Sequence, residues 1–220
     1  MSPQDKPQEY LWAFPDKPLL LASKSSARQA LLRQAGLAFA TAPAAIDEPA
    51  IRAAATSEGA TPDEIAVLLA EMKGERVAAA HSDAMIIASD QLLVCEGKIY
   101  GKPRSLAEAK AQIEALSGKR HQLISAVILF DKGKRIWHHI ARPEITFHAL
   151  DEAMIDAYLA YFGDDALNSP GSYYLEGPGI HLFADVFGDY YAILGLPMLA
   201  LLPQLKLHGL SLMKSDEVPC

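Results

Sequence analysis

Four stretches of this chain carry side chains whose types and spacing suit chemistry on an anionic substrate. In Leu21-Ala-Ser-Lys-Ser-Ser-Ala-Arg28 an apolar run turns straight into a helical pattern, with hydroxyls and two cations at the turn. The NH groups and dipole at a helix start, together with those donors, suit a phosphate. The run lacks the Gly-rich phosphate-binding pattern, so two readings stand: a phosphate cradle, or a serine N-cap and nothing more. Ile46-Asp47-Glu48 brings adjacent carboxylates, and Asp90 follows the apolar Ile86-Ile87-Ala88-Ser89. Hard cations such as Mg²⁺ take one or two carboxylates and complete their shell with water and phosphate oxygens, so Glu48 and Asp90 can share an ion. An acidic pair can equally well solvate a loop. Asp90 is harder to read that way, because an unpaired charge at the end of a buried run is costly.

The third stretch is Tyr100-Gly101-Lys102-Pro103, taken with Lys73 on a long helical pattern, and the fourth is Gly171-Ser-Tyr-Tyr-Leu-Glu-Gly-Pro-Gly179. Lysines neutralise phosphate as point charges, and a Gly-rich loop with an acid and two tyrosines suits the edge and face of a base. Lys73 also fits the solvated face of an amphipathic helix. The seven histidines show no metal-binding spacing, and no Ser or Cys sits in a G-x-S-x-G elbow, which leaves covalent acyl chemistry unsupported. Cys95 and Cys220 give neither a disulfide framework nor a metal site.

Positioning these residues requires a mixed α/β chain. Leu19–Ser23 reads as a buried strand running into a helix from about Ser25 to Ala35 that Gly36 closes. Leu37–Pro43 contains a short strand, and residues 44–58 read as a loop. Thr61, Pro62 and Glu64 then fit the N-cap, N1 and N3 positions of a capping box, and Ile65, Leu68, Leu69, Met72 and Val77 keep helical spacing. Residues 84–101 read as two strands around a Glu96-Gly97 turn. Ser105 caps a helix ending near Gly118, and His121–Phe130 and Arg135–His148 form a hairpin. A helix from Asp151 to about Tyr161, a Gly- and Pro-rich loop over residues 163–179, a short strand and a helix from Pro197 to about Leu207 complete the chain.

Half of the 220 residues are hydrophobic and 21% are charged, the balance of a globular domain that can bury its own core. The longest apolar run is broken at Gly195 and Pro197, short of a membrane span, so no membrane association is expected. With 27 acidic and 20 basic side chains the net charge of −7 disfavours a nonspecific grip on nucleic acid, while a local cationic cluster can still bind a single triphosphate. Residues 1–17 read as a flexible extension without signal-peptide character, residues 18–209 as one domain, and residues 210–220 as a tail; a cytoplasmic location is expected.

Taken together and in order, these segments resemble the Maf family of nucleotide pyrophosphatases over nearly all of Leu19–Leu207. The resemblance rests on LASKSSARQALL, IDE, Met72-Lys73-Gly74, the ASD of β-strand character, Gly101-Lys102-Pro103, Leu116-Ser117-Gly118, GSYYLEGPG and GDYYAILGLP. It implies a mixed, strongly curved sheet flanked by helices around a central substrate cleft, and frequently a homodimer. It also implies dependence on a divalent cation, Mg²⁺ or Mn²⁺, and hydrolysis of a nucleoside triphosphate between the α- and β-phosphates. By position, Asp90 would be the general base, with Glu48 and Asp90 near the metal. Arg28, Lys73 and Lys102 would hold the triphosphate, and Ser23, Ser25, Ala27, Gln91 and Glu176 would contact substrate.

The chain departs from the common pattern in three places. Ser26-Ala27-Arg28 stands where Pro-Arg-Arg is usual, which removes a cation. Gln91 stands where a Thr often follows the catalytic Asp, and Glu176 where the Gly-rich loop carries Gln. With Ser89 and the run EGPGIHLF these resemble the branch known for 7-methyl-GTP rather than dTTP and UTP. A carboxylate at 176 can accept from guanine N1–H and its amine, and acid and tyrosines favour a cationic methylated ring. The alternatives are a dTTP/UTP pyrophosphatase, or a low-turnover nucleotide-binding regulator linked to cell division.

Overall fold

A computed structural model describes residues 10–213 of the chain. Its elements, in order, begin with β1 (Trp12–Ala13), β2 (Leu19–Leu21), α1 (Ser26–Gln34), β3 (Ala40–Thr41), α2 (Glu48–Ser57), α3 (Pro62–Ala78) and β4 (Met85–Cys95). They continue with β5 (Lys98–Tyr100), α4 (Leu106–Leu116), β6 (Arg120–Asp131), β7 (Lys134–Ala141), β8 (Glu144–Phe147) and α5 (Glu152–Phe162). The chain closes with β9 (Phe183–Phe187), α6 (Tyr190–Ile193), α7 (Met198–Leu207) and β10 (Ser211–Leu212). This is the mixed α/β class that the alternation of patterns predicts, with a mixed sheet flanked by helices. Among the described residues no helix is long and apolar enough to cross a membrane.

The chain packs into two compact units. One comprises the described residues up to Asp90, Ala126–Ile140 and the described residues from Leu194 onward; the other comprises Gln91–Ser125 and Ala141–Ile193. In the first unit the strands run in the order β3-β2-β4-β6, with β7 on β6, and β2 lies parallel to both β3 and β4. Leu19, Leu21, Met85 and Ile87 alternate onto one face, as strand periodicity requires. They pack with Leu31 and Leu32 of α1 and Leu201 and Leu205 of α7.

Helix α3 starts where the sequence places it, with Thr61 and Glu64 forming both halves of a capping box. Its buried stripe differs from the one read from large apolar residues. Leu68 is exposed, whereas Ala66, Ala70, Lys73, Gly74 and Ala78 are buried. Small side chains let the helix approach closely, and a Cβ at Gly74 would lie 2.1 Å from Phe130 Cε2. Size, which hydrophobicity alone does not rank, selects this face.

Three readings of the chain need correction. Residues 44–58, expected as a loop, hold α2, because Asp47 caps it by accepting from Ala50 N at 3.1 Å and Pro49 presets its first turn. The expected strand Arg135–His148 is two strands, β7 and β8; Pro143 lies between them and has no NH to donate. The Gly- and Pro-rich loop is largely 3₁₀ turns at Gly163–Asn168, Pro170–Ser172 and Gly177–Leu182. Of the expected N-terminal extension, residues 1–9 lie outside the described residues, and Trp12–Ala13 pair antiparallel with Ser211–Leu212. The last seven residues of the expected tail also lie outside the described residues.

In the second unit β5 pairs with the end of β4, and β6, β8 and β9 pair in that order, antiparallel where β8 meets each neighbour. His121, Phe147, Tyr173 and Phe183 pack edge to face, with His121 Nε2 3.1 Å from Tyr173 Oη. Gln112 of α4 donates to Gly101 O and accepts from Gly171 N, so one amide holds the ends of two motif-bearing loops.

Candidate active site

In the first unit, the end of β2, the start of α1, the start of α2, the middle of α3 and position 90 of β4 converge on one ionic cluster. The turn between β2 and α1 is built by its own serines. Ser25 caps α1 by accepting from Arg28 N, and Ser23 Oγ accepts from Ser25 N at 3.2 Å. The N-cap reading of this turn is therefore realised in the free protein, and Ser25 and Ala27 remain half-buried beside it.

Arg28 is 9% exposed, and its Nε and Nη1 donate to protein acceptors. Its Nε donates to Gly195 O at 2.8 Å, and its Nη1 to Ser89 O at 2.9 Å and to Ser23 Oγ at 3.2 Å. Ser89 Oγ donates to the same Gly195 carbonyl at 3.2 Å. One guanidinium thus ties the turn, the end of the buried strand run and the segment before α7. Gly195 adopts φ +104°, a conformation that L side chains rarely adopt, and this orients the shared carbonyl. The sequence pattern alone gives Gly195 no role and Ser89 none beyond its place in a family pattern; the Gly-Leu-Pro run is the available signal.

Lys73 settles the choice that its helical position left open. It is 6% exposed, not on a solvated face, and its Nζ lies 2.6 Å from Asp90 Oδ1 and 2.7 Å from Glu48 Oε1. Asp90 is 5% exposed, whereas the Glu48 side chain is 49% exposed at the first position of α2. Burial raises the pKa of Asp90 above the ordinary carboxylate value, with the cations of Lys73 and Arg28 opposing that rise. Burial likewise lowers the pKa of Arg28, opposed by the charges of Asp90 and Glu48. Burial makes the ionised carboxylate a stronger proton acceptor, and the adjacent cations favour its ionised form, the two properties a base for water needs.

Among the described residues no group of three or more His, Cys, Asp and Glu side chains is arranged to hold a metal. An all-protein cage of the zinc type therefore does not fit the cluster. Glu48 and Asp90 converging on one ammonium do fit a hard cation that takes two carboxylates and finds its remaining oxygens on phosphate and water.

Three expected site residues belong to the second unit. Lys102 and Glu176 are exposed. Gln91 is half-buried, and its amide nitrogen donates to Ser125 Oγ and Ala192 O, each at 2.8 Å, and to Ile193 O at 3.2 Å. Ser125 Oγ itself donates to Ala192 O at 2.7 Å. Gln91 and Ser125 therefore clamp the end of α6, directly after the half-exposed pair Tyr190 and Tyr191. Sequence reasoning misses Ser125, which lies in an apolar strand run with no local signal.

Comparison with known proteins adds to this geometry. The family model described as Maf-like protein matches residues 18–208. The chain is 46% identical over 188 residues to a 7-methyl-GTP pyrophosphatase of Brucella suis, covering 86% of this chain and 94% of that protein. It is 46% identical over 194 residues to a 7-methyl-GTP pyrophosphatase of Rhizobium meliloti, covering 88% and 98%. A nucleoside triphosphate pyrophosphatase of Granulibacter bethesdensis is 43% identical over 190 residues, covering 86% and 96%.

Proposed function

Because the chain belongs to the Maf-like protein family, we propose that it is a nucleoside triphosphate pyrophosphatase that hydrolyses 7-methyl-GTP or a related modified nucleotide to the monophosphate and pyrophosphate. The observation that carries this reading is the cluster in which buried Asp90 and half-exposed Glu48 share the buried Lys73 ammonium beside the braced Arg28. Cleavage of the α–β anhydride needs a base for the attacking water and cations for the departing pyrophosphate, and the cluster contains both.

In this reading Asp90 accepts a proton from water as its oxygen attacks the α-phosphorus in line. Lys73 and Arg28 supply positive charge where negative charge accumulates on the phosphate oxygens, and fixed charges in a buried setting act more strongly than they would in water. Glu48 and Asp90 would hold the divalent cation. When bound, that ion would polarise phosphoryl oxygens and offset their charge. Lys102 is assigned to the phosphates, Ser23, Ser25 and Ala27 to the turn that meets them, and Glu176 to the guanine edge. Gln91 acts through α6, since its amide nitrogen is spent on backbone carbonyls and on Ser125.

The test is pyrophosphate release from purified protein with Mg²⁺ or Mn²⁺ across 7-methyl-GTP, GTP, dTTP, UTP, CTP and ATP. Selective release from 7-methyl-GTP supports the reading in full. Release mainly from dTTP or UTP keeps the reaction and removes the proposed base preference, and no release from any nucleotide overturns it.

A further inference from the structure

Lys73 occupies the place that a bridging cation would take. Its ammonium lies within 2.7 Å of one oxygen from each carboxylate of the pair, and it is held on the middle of α3 where it is 6% exposed. An ammonium has three donors and no acceptor, so two of its three protons are committed to Asp90 and Glu48. A divalent cation approaching the same two oxygens would meet a like charge at bonding distance and would have to displace it.

From this we propose that Lys73 is an internal counter-ion that keeps the Glu48–Asp90 pair closed to divalent metal in the nucleotide-free protein. The phosphates of an arriving nucleotide draw the ammonium away, so metal enters with the nucleotide or after it and not before. The lysine stem is long and flexible enough to swing its head from carboxylate to phosphate without moving α3. Glu48, half-exposed at the start of α2, stands on the solvent side of the pair, whereas Asp90 is fixed on the strand. The inference rests on the proposed nucleotide substrate for what releases Lys73, but the closed state is a property of the free protein.

Binding of Mn²⁺ to nucleotide-free protein, followed by the paramagnetic resonance signal of the unbound ion, tests this without turnover. Unmodified protein should bind Mn²⁺ weakly, and Lys73→Met should bind it at least tenfold more tightly. Adding Glu48→Gln to Lys73→Met should abolish the gain, which ties it to the carboxylate pair. Equal affinity in unmodified and Lys73→Met protein, or a gain that survives Glu48→Gln, would overturn the proposal. Should Lys73→Met melt early in the absence of metal, Lys73→Gln replaces it. Micromolar Mn²⁺ binding by the unmodified, nucleotide-free protein would sink the idea with no variant at all. A non-hydrolysable α,β-methylene triphosphate should in turn bind the metal-free protein and make Mn²⁺ binding to that complex at least tenfold tighter than to the free protein. Failure of pyrophosphate release would remove the functional reading while leaving the nucleotide-free titration intact.

Discussion

Arg28 Nε donates to the carbonyl of Gly195 at 2.8 Å across 167 positions of sequence, and Ser89 Oγ reaches the same oxygen. The contact makes Arg28 a brace as well as a charge. Arg28→Lys keeps the charge but cannot reproduce the planar fork that reaches Ser23, Ser89 and Gly195 together. The expected cost is about 1–3 kcal/mol of stability, the usual penalty for buried groups left without partners, with kcat/KM for nucleotide hydrolysis lowered at least tenfold. Chemical denaturation and steady-state kinetics on the same preparation check both, and unchanged stability would show that the brace is dispensable.

Asp90→Asn preserves shape while removing the proposed base. The variant should fold and bind nucleotide yet lose roughly 10²–10⁴-fold in turnover, the range that general-base catalysis contributes. The pH profile carries a second expectation. The base works only when ionised, and burial raises its pKa above the ordinary 3.8, so activity should fall on acidification through a limb displaced upward from that value. A kcat/KM profile flat down to the ordinary carboxylate range would contradict the assignment.

Gly74→Ala tests the close approach of α3 and β6. Its methyl would lie 2.1 Å from Phe130 Cε2, so the ring or the helix must shift. Overpacking of this kind costs typically about 1–3 kcal/mol, even though alanine is the better helix former. Thermal melting should show the loss, and Phe130→Leu in the same chain should recover part of it.

His121 gives the second unit a pH-dependent stability. Burial pushes its pKa down to about 4 from an ordinary value of 6.5, so above 6.5 both folded and unfolded chains hold it neutral and it has no effect. As pH falls from 6.5 towards 4 the unfolded chain takes up a proton that the folded one refuses. Stability is therefore lost across that window, by roughly 3 kcal/mol in total. His121→Gln should flatten this dependence; melting temperatures at pH 7.5 and 4.5 for both proteins provide the comparison.

Glu176→Gln should move preference from guanine towards pyrimidine nucleotides, because an amide no longer offers two acceptors to the guanine edge. The ratio of kcat/KM for 7-methyl-GTP and UTP reads this directly, and an unaltered ratio would remove Glu176 from base recognition.

Much of this protein is legible in its sequence alone. The Thr61–Glu64 capping box, the Ser25 cap, the buried Leu19–Leu21 and Met85–Ala88 runs and the turns at glycine are local matters, decided by dihedral preference, capping and periodicity within a few residues. Residue chemistry and family resemblance likewise single out Asp90, Glu48, Lys73 and Arg28. Local signals mislead where two features overlap: Asp47-Glu48-Pro49 reads as a solvated acidic loop, although Asp47 caps a helix and carries Glu48 on its first turn.

What only the tertiary structure decided was who meets whom. Lys73 fits a solvated helix face as well as a buried ion pair until the packing of α3 through its small residues turns it onto Asp90. Gln91 follows the proposed base Asp90 in sequence, yet its amide nitrogen is spent on Ser125 and on the carbonyls of α6. Ser125 carries no local mark, and the Gly-Leu-Pro run marks Gly195 without naming its partner, because a hydrogen bond across 67 or 167 positions depends on where two distant backbones come to rest. Partnership of that kind is set by the burial of the whole sheet and its helices, which no short window of residues contains.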